Sequence, residues 1–234
     1  MFEIIFISYN EIFAEDNFQK LKERFPLVKH VRGVKGIHQA HIEAAKRSFF
    51  EMFWVVDADA QVLDSFNFDY EPPSHQRDHV HVWRSKNPIN GLEYGYGGVK
   101  LLPKKLTLNM DLTNPDMSTS ISPYFIPMEE VSNITAFNTD PFSAWRSGFR
   151  ECCKLASKVI NGQVDTETAV RLKIWCSVGA DQPYGEYAIK GALAGRSYGE
   201  QNAGNIPALL KINDFDWLKS LFEQTHLPLE TLQK

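Results

Sequence analysis

The residues of this chain best suited to chemistry are two aspartates that follow a short apolar run. Residues 53–56 are all hydrophobic and lead directly into Asp57 and Asp59, after which the sequence becomes polar. Such a run is typical of a strand buried on both faces, and open α/β sheets bind ligands at the carboxyl ends of these strands. Two neighbouring carboxylates repel each other unless a positive charge neutralises them. The pair therefore predicts a site for Mg²⁺ or Mn²⁺ bound to the phosphates of a nucleotide.

The same pair also has a purely structural interpretation, in which one aspartate caps a helix and the other stabilises a turn. The two interpretations differ in what a substitution should do. If the aspartates hold a metal, Asp57→Asn and Asp59→Asn should each abolish activity and leave the fold intact, because neither change removes packing.

The elements that position the pair are predicted from the periodicity of the hydrophobic residues. Strand patterns cover residues 2–8 and 28–34, and amphipathic helix patterns cover residues 13–25 and 37–50. Strand and helix thus alternate up to the acidic strand. This alternation is the signature of a parallel sheet with right-handed crossovers.

The rest of the chain has a different pattern. Residues 107–139 are polar and show no long periodic segment, and helix patterns follow from Asp140-Pro141 onward. We therefore predict an α/β fold in which helices flank a mostly parallel sheet, with a helical C-terminal part. The prediction is one domain with two halves, residues 1–106 and residues 107–234.

The composition restricts the class of protein. With 43% hydrophobic and 23% charged residues and a net charge of −4, the 234-residue chain has the balance of an ordinary soluble domain. No apolar stretch approaches the ~20 residues of a membrane span, and the N-terminus lacks the features of a signal peptide. The three cysteines include the adjacent Cys152 and Cys153, which cannot form an ordinary disulfide with each other. These features predict reduced thiols in a cytoplasmic protein without membrane contact.

The aspartate pair on the third predicted strand resembles the D-x-D motif of GT-A glycosyltransferases, which bind metal and diphosphate there. The resemblance covers residues 2–63 and implies a GT-A-like, Rossmann-type sheet, a UDP-sugar donor and Asp57 and Asp59 as ligands of Mn²⁺ or Mg²⁺. In the family the loop after the first strand contacts the nucleoside, and a small-residue helix precedes the motif. The implied donor-binding residues are Ser8, Tyr9, Asn10, Glu11, Lys35, His38 and Asp57. A C-terminal histidine often joins the metal in this family, so His226 is a candidate third ligand; its alternative is a plain exposed histidine.

The whole chain, including residues 94–98 and 144–150, is also similar to DNA-sugar-modifying proteins of T4-like phages. The relevant activity there is transfer of a sugar, such as arabinose, to hydroxymethylcytosine. This resemblance implies DNA as the acceptor, arabinosyl or glucosyl transfer, and the host cytoplasm as location.

A glycine-rich segment follows the acidic strand, where GT-A enzymes usually place acceptor-side elements. Glycines let backbone approach a ligand closely, and tyrosines stack on sugars or bases. The predicted acceptor-binding residues are Tyr94, Tyr96, Gly97 and Gly98. The alternative is an ordinary turn with tyrosines in the core.

Two further groups come from the helical part of the sequence. Four basic residues recur every four positions and form a stripe on one side of a predicted helix: Arg146, Arg150, Lys154 and Lys158. Arg146 and Arg150 of this basic stripe either bind the donor diphosphate, contact DNA phosphates or are simply solvated. Asp181 and Glu186 flank a predicted helix start. One of them is a candidate general base if the reaction inverts the anomeric centre, and the alternative is a helix cap.

Two other functions use similar residues. Haloacid-dehalogenase-like phosphatases also carry a strand-end D-x-D, although they place it on the first strand. A non-catalytic module that binds nucleotide sugars would share the scaffold without the reaction.

Overall fold

The computed structural model describes residues 2–95, 97–160 and 162–226. Backbone contacts divide the chain into two compact units, with the border between Ala136 and Phe137. The strands of the first unit are β1 (Glu3–Ser8), β2 (Lys29–Arg32), β3 (Met52–Asp57), β4 (Ala60–Val62), β5 (Val80–Lys86), β6 (Glu93–Tyr94), β7 (Val99–Pro103) and β8 (Phe125–Thr135). Its helices are α1 (Ala14–Arg24), α2 (Ile37–Arg47), α3 (Lys104–Leu108) and α4 (Met117–Ile121).

These strands form one mixed sheet in the order β2-β1-β3-β7-β5-β8-β4, with β6 paired to β5. β1 runs parallel to both β2 and β3, as the alternating strand and helix patterns predict. β7 is antiparallel to β3 and to β5, and β8 is parallel to β5 but antiparallel to β4. The α/β class is therefore confirmed, while the sheet is mixed rather than mostly parallel. The connection from β5 to β7 contains β6 and no helix, and a parallel crossover needs a longer link that usually includes one.

Both faces of the central strands are buried, which explains why their sequences are continuously apolar. On one face Phe6 and Trp54 pack with Phe18 of α1. On the other face Ile5 and Val55 pack with Ala44 and Ala45 of α2. The first crossover helix and the second thus cover opposite faces, and the small side chains of α2 allow it to lie close to the sheet.

The prediction for residues 107–139 was incomplete, because β8 lies within them. Its side chains do not follow a hydrophobic pattern, and its buried end is polar. Asn133 is fully buried and its Oδ1 accepts hydrogen bonds from Ser85 and Ser132, each at 2.8 Å. A strand whose buried positions form a hydrogen-bonded polar network carries no period-2 hydrophobic signal.

The second unit is helical in its described part, which confirms the helical C-terminal prediction. Its helices are α5 (Pro141–Ser157), α6 (Asp165–Trp175), α7 (Gly185–Gln201), α8 (Ile206–Leu210) and α9 (Phe215–His226). Asp140 caps α5 by accepting a hydrogen bond from the Ser143 N–H, and Pro141 occupies the first turn, as predicted. No helix in the described ranges is both long enough and apolar enough to cross a membrane.

Helices α5 and α7 approach each other closely through glycines. A Cβ atom on Gly191 would lie 2.0 Å from the carbonyl oxygen of Trp145, and one on Gly195 would lie 2.1 Å from that of Phe149. Gly148 of α5 is in the same position with respect to Ala188, at 2.2 Å. These distances leave no space for a side chain, so backbone packs directly on backbone.

Candidate functional site

The carboxyl ends of β1 and β3 lie side by side and bring together two predicted groups of site residues. Ile7 pairs with Asp57 in the parallel ladder, so Ser8 and the loop after it begin next to the aspartate. In the sheet, β2 lies on one side of β1 and β3 lies on the other side. Where the strand order reverses in this way, open sheets have a crevice at the carboxyl ends of the strands and bind ligands there.

The positive charge beside Asp57 comes from Lys100, a residue that sequence reasoning missed. Lys100 Nζ donates to both carboxyl oxygens of Asp57, at 2.8 Å each. The lysine side chain is 1% exposed and that of Asp57 is 24% exposed, so the ion pair is largely shielded from water. The signal that could have found it is a single lysine in the otherwise apolar strand Val99–Pro103.

The backbone that carries the aspartate pair is fixed by three separate segments. The Asp57 N–H donates to the carbonyl oxygen of Gly98 at 2.9 Å, and the Ala136 N–H donates to that of Asp59 at 2.7 Å. Between them, the buried side-chain amide of Asn17 donates to the Ala58 carbonyl oxygen at 2.8 Å. This arrangement holds residues 57–59 in one conformation before any ligand binds.

The predicted acceptor-binding segment also lies at this end of the sheet, and packing accounts for part of its composition. A Cβ on Gly98 would lie 2.7 Å from Asn133 Nδ2, so only glycine fits there. Gly97 has a φ of +80°, and a Cβ on it would lie 3.9 Å from Lys100 Nζ. Tyr94 is buried in β6, as the alternative of a core tyrosine expects. Tyr96 lies outside the described residues.

At the end of β1, the Ser8 hydroxyl has a defined orientation. His30 Nε2 and Ser8 Oγ are 2.8 Å apart, and Arg32 Nε donates to His30 Nδ1 at 2.8 Å. Burial, together with the charge of Arg32, lowers the pKa of His30 to about 4, so the ring is neutral near pH 7. Because Nδ1 accepts a hydrogen bond, the single ring proton is on Nε2 and is donated to Ser8 Oγ. The hydroxyl hydrogen of Ser8 can then be donated to a ligand.

Tyr9 and Asn10, in the loop that follows β1, are accessible to solvent. Tyr9 is 43% exposed, and its N–H donates to the Glu11 carboxylate at 2.8 Å. Asn10 is exposed as well. The Glu11 side chain therefore closes the loop, and Tyr9 and Asn10 are exposed to solvent beside the strand ends.

The remaining residues predicted to bind the nucleotide-sugar donor lie around the start of α2. Lys35 is exposed, whereas His38 is buried and its Nε2 donates to the Asn114 carbonyl oxygen at 3.2 Å. One turn further, the fully buried His41 donates from Nδ1 to the Ile37 carbonyl oxygen at 2.8 Å. Burial and the nearby charge of Lys100 lower the pKa of His41 well below its usual range. His41 Nε2 is thus a buried acceptor, and it has no hydrogen-bond partner among the described residues.

The two arginines of the basic stripe make contacts within the second unit. Arg150 donates from Nε to the Ile212 carbonyl oxygen and from a terminal nitrogen to Asn213 Oδ1, each at 2.9 Å. The Arg146 guanidinium lies 4.2 Å from the ring centroid of Phe215. These contacts give both arginines a structural role, which the three interpretations of the stripe did not include. The donor and DNA roles stay predictions.

The candidate general bases and the C-terminal histidine also belong to the second unit. Asp181 and Glu186 are both exposed, and neither caps α7, whose N-cap residue is Tyr184. Asp181 instead accepts a hydrogen bond from the side chain of Gln182 at 2.9 Å. His226 stacks on Phe222, with ring centroids 4.6 Å apart, and donates from Nδ1 to the Phe222 carbonyl oxygen at 3.0 Å. It is therefore partly packed rather than simply exposed.

A divalent cation held by the protein alone needs several side-chain ligands. Within residues 2–95, 97–160 and 162–226, no group of three or more His, Cys, Asp or Glu side chains could hold a metal ion. Mg²⁺ commonly uses only one or two carboxylates and completes its shell with water and substrate phosphates. Asp57 and Asp59 as metal ligands stay a prediction, because Lys100 Nζ already donates to both oxygens of Asp57. They do not form a preformed metal cage.

Comparisons with known proteins give structural similarity at low sequence identity and no family. No protein family matches the chain, and no curated protein matches it. Among solved structures, the chain is similar to HddC from Yersinia pseudotuberculosis, with 12% sequence identity and a TM-score of 0.31. The match covers 58% of this chain and 90% of HddC. A similarity of this size establishes neither a shared fold nor a shared function.

Proposed function

We propose that the chain is a glycosyltransferase that uses a UDP-sugar and binds this donor at the carboxyl ends of β1 and β3. The observation that supports the proposal most is the position of Asp57 beside Ser8, with the backbone of residues 57–59 held by three hydrogen bonds. A preorganised set of polar groups at a strand end is what a nucleotide-sugar site requires, because groups that are already oriented need no rearrangement during the reaction.

In the proposed site, some protein groups accept hydrogen bonds from the sugar donor and others donate hydrogen bonds to it. The Asp57 carboxylate, held by Lys100, accepts from hydroxyl groups of the donor ribose or sugar. The Ser8 hydroxyl donates to an oxygen of the donor. Tyr9 and Asn10 are exposed next to them and contact the nucleoside. Lys35 and His38 extend the site toward the start of α2.

A divalent cation, Mn²⁺ or Mg²⁺, is part of the proposal, and Asp57 and Asp59 are the residues that would hold it. When bound, it would offset the negative charge that develops on the departing diphosphate. Lys100 donates to both oxygens of Asp57 and fixes the carboxylate in place. The reaction breaks the bond between the anomeric carbon and the diphosphate and forms a bond to an acceptor oxygen, whose proton passes to a base.

The donor proposal is tested at Asp59, because a substitution of Asp57 would also remove the ion pair with Lys100. Asp59→Asn should lower the metal-stimulated hydrolysis of UDP-sugars by at least ~10²-fold, the loss typical of removing a principal electrostatic stabiliser. Asp64→Asn is the matched control, since its side chain is fully exposed in the same stretch of chain. Near-wild-type turnover in Asp59→Asn would contradict the metal role. UDP-sugar binding without any hydrolysis or transfer, with or without Mn²⁺, would indicate a binding module instead.

The proposed acceptor is a hydroxyl group, and 5-hydroxymethylcytosine in DNA is its narrower form. If Arg146 and Arg150 contact DNA phosphates, the logarithm of DNA affinity should fall with the logarithm of salt concentration by about 0.9 per contact. Arg146→Ala/Arg150→Ala should then reduce this slope by about two units. A charge-matched control is Lys173→Ala/Lys190→Ala, which removes two exposed cations of the same unit. Equal slopes in the wild type and the arginine variant would exclude these arginines as DNA contacts.

A further inference from the structure

Four side chains share one face of the sheet where β1 pairs with β2, the strand at the edge. In this parallel ladder Phe6 is opposite His30, and Ser8 is opposite Arg32. Side chains two positions apart in a strand point to the same face, so all four lie on the side that α1 covers. Val31, between the two polar residues of β2, is instead buried on the face that α2 covers. Polar side chains of both strands therefore meet beneath α1 at the carboxyl end of β1.

The His30 ring is held by aromatic contacts on two sides. Its centroid lies 4.2 Å from that of Phe18, with the ring planes at 33°. It lies 5.0 Å from the centroid of Phe6, with the planes at 88°. Both phenylalanines are buried. A ring packed in this way would displace a neighbour if it turned over, so each of its two nitrogens keeps its own partner.

A chain of polar contacts runs from an exposed carboxylate through this ring to Ser8. Glu15 Oε2 pairs with a terminal nitrogen of Arg32 at 2.9 Å, and Arg32 Nε donates to His30 Nδ1 at 2.8 Å. On the other side of the ring, His30 Nε2 and Ser8 Oγ are 2.8 Å apart. A guanidinium only donates hydrogen bonds, so Nδ1 must accept one, and the single proton of the neutral ring is on Nε2. The Ser8 oxygen therefore accepts from the ring, and the hydroxyl hydrogen points away from it.

The charge state of the ring agrees with this chain of contacts. Burial and the charge of Arg32 lower the pKa of His30 to about 4, against the opposing effect of Glu15. A second proton on the ring would lie on Nδ1 and would face the N–H of Arg32, which costs a hydrogen bond. The neutral ring with its proton on Nε2 is thus the form that these neighbours favour.

We infer that His30 is a positioning residue that makes the Ser8 hydroxyl an obligate hydrogen-bond donor, so that the site selects a ligand atom that only accepts. The inference rests on the proposed function, in which this end of β1 binds a UDP-sugar. Two kinds of oxygen in such a ligand fit: a carbonyl oxygen of uracil and an oxygen of the diphosphate. Cytosine has an amino group in place of one uracil carbonyl. That amino group would meet the hydroxyl hydrogen with hydrogens of its own, and a hydrogen bond would be lost.

The first test is NMR spectroscopy of the histidine ring nitrogens, which needs no ligand. At about pH 7, His30 should carry its proton on Nε2 and have an unprotonated Nδ1. Arg32→Met should shift the proton partly to Nδ1, because it removes the group that donates to this nitrogen. Arg47→Met is the matched control, since Arg47 donates to the backbone carbonyl oxygen of His30, at 2.9 Å, and not to the ring. A wild-type ring with its proton on Nδ1 would overturn the inference.

The second test measures UDP affinity by calorimetry in a double-mutant cycle. Ser8→Ala should weaken binding about tenfold, at the upper end for one neutral hydrogen bond. His30→Phe keeps an aromatic ring against Phe6 and Phe18 but removes the N–H, and it should weaken binding about threefold because the hydroxyl is no longer oriented. In the Ser8→Ala background, His30→Phe should have no further effect, since His30 acts through Ser8. Additive losses, or an unchanged affinity in Ser8→Ala, would contradict the inference.

A comparison of UDP with CDP identifies the oxygen that accepts from Ser8. If it belongs to uracil, the wild type should prefer UDP by about tenfold, and Ser8→Ala should remove most of this preference. If it belongs to the diphosphate, Ser8→Ala should weaken the binding of both nucleotides equally. A wild type that binds neither nucleotide would contradict the proposed function and, with it, the ligand of Ser8. A proton on Nδ1 or additive losses would overturn only the role of His30.

Discussion

The first unit and the second unit differ in where their packing departs from ordinary apolar contacts. In the first, the central strands bury ordinary apolar side chains on both faces, and the exception is a charged pair, Asp57 and Lys100, at the edge of that core. In the second, the charged residues lie mostly outside, and the exception is the absence of side chains where α5 meets α7. A sheet spaces its strands by hydrogen bonds, whereas two helices are spaced by whatever side chains lie between them.

This difference implies that the two units are sensitive to opposite kinds of change. The first unit should tolerate changes of side-chain size near the site better than changes of charge. The second should tolerate changes of charge on its surface and should not tolerate even one added methyl group along the contact between α5 and α7. Substitutions of each kind, made in each unit, test the comparison.

The largest effect is expected from a methyl group between the helices. Gly191→Ala places a Cβ 2.0 Å from the Trp145 carbonyl oxygen, so α5 and α7 must separate. We expect the free energy of unfolding to fall by about 3 kcal/mol or more, at the upper end of what overpacking costs. Urea unfolding measures the change. Ala194→Ser, on the exposed side of the same helix, should stay within about 0.5 kcal/mol of the wild type.

A smaller but still clear effect is expected from removing one charge of the buried pair. Asp57→Asn leaves the Lys100 ammonium shielded from water without its carboxylate, which should cost about 2 kcal/mol; we reduce the usual value because Asp57 is partly exposed. The expectation that Asp57→Asn leaves the fold intact stays a prediction, and any loss of activity in this variant should be read beside its loss of stability. Asp57→Asn/Lys100→Met should recover part of the lost stability. If the double variant is no more stable than the single variant, the ion pair does not explain the loss.

A third effect is a dependence on pH that belongs to the first unit. Burial lowers the pKa of His41 well below its usual range and that of His30 to about 4, from 6.5. As the pH falls below about 6.5, the unfolded chain binds protons that the folded chain does not bind, so the free energy of unfolding decreases toward about pH 4. Urea unfolding at about pH 7 and about pH 5 measures this loss. His41→Gln should reduce it, while the exposed His75→Gln should leave it unchanged.

The sequence alone predicted the part of the fold that follows from periodicity. β1, β3 and the two helices between them were predicted because both faces of the strands are covered, and this makes the apolar runs continuous. The same argument placed Asp57 at a strand end beside the loop that begins at Ser8. Periodicity could not predict which strand pairs with β3 on the side away from β1. Lys100 reaches Asp57 only because β7 is antiparallel to β3, with Lys100 opposite Val55.

Two other features depend on contacts between residues distant in sequence. β8 was missed because Asn133 and its serine partners replace a hydrophobic face with hydrogen bonds. The structural contacts of Arg150 were missed because a helical stripe shows which residues share a face and not what covers that face.

The shielding of Lys100 has a consequence for the ionic-strength dependence of stability. Dissolved ions screen exposed charges over about 8–10 Å at moderate salt, but they screen a pair that water does not reach much less. Added salt should thus weaken contacts such as Lys158 to Asp165, whose side chains are 63% and 76% exposed, and leave Lys100 to Asp57 almost unchanged. A salt series consequently separates the charges that face the solvent from the shielded pair that holds Asp57 in the candidate site.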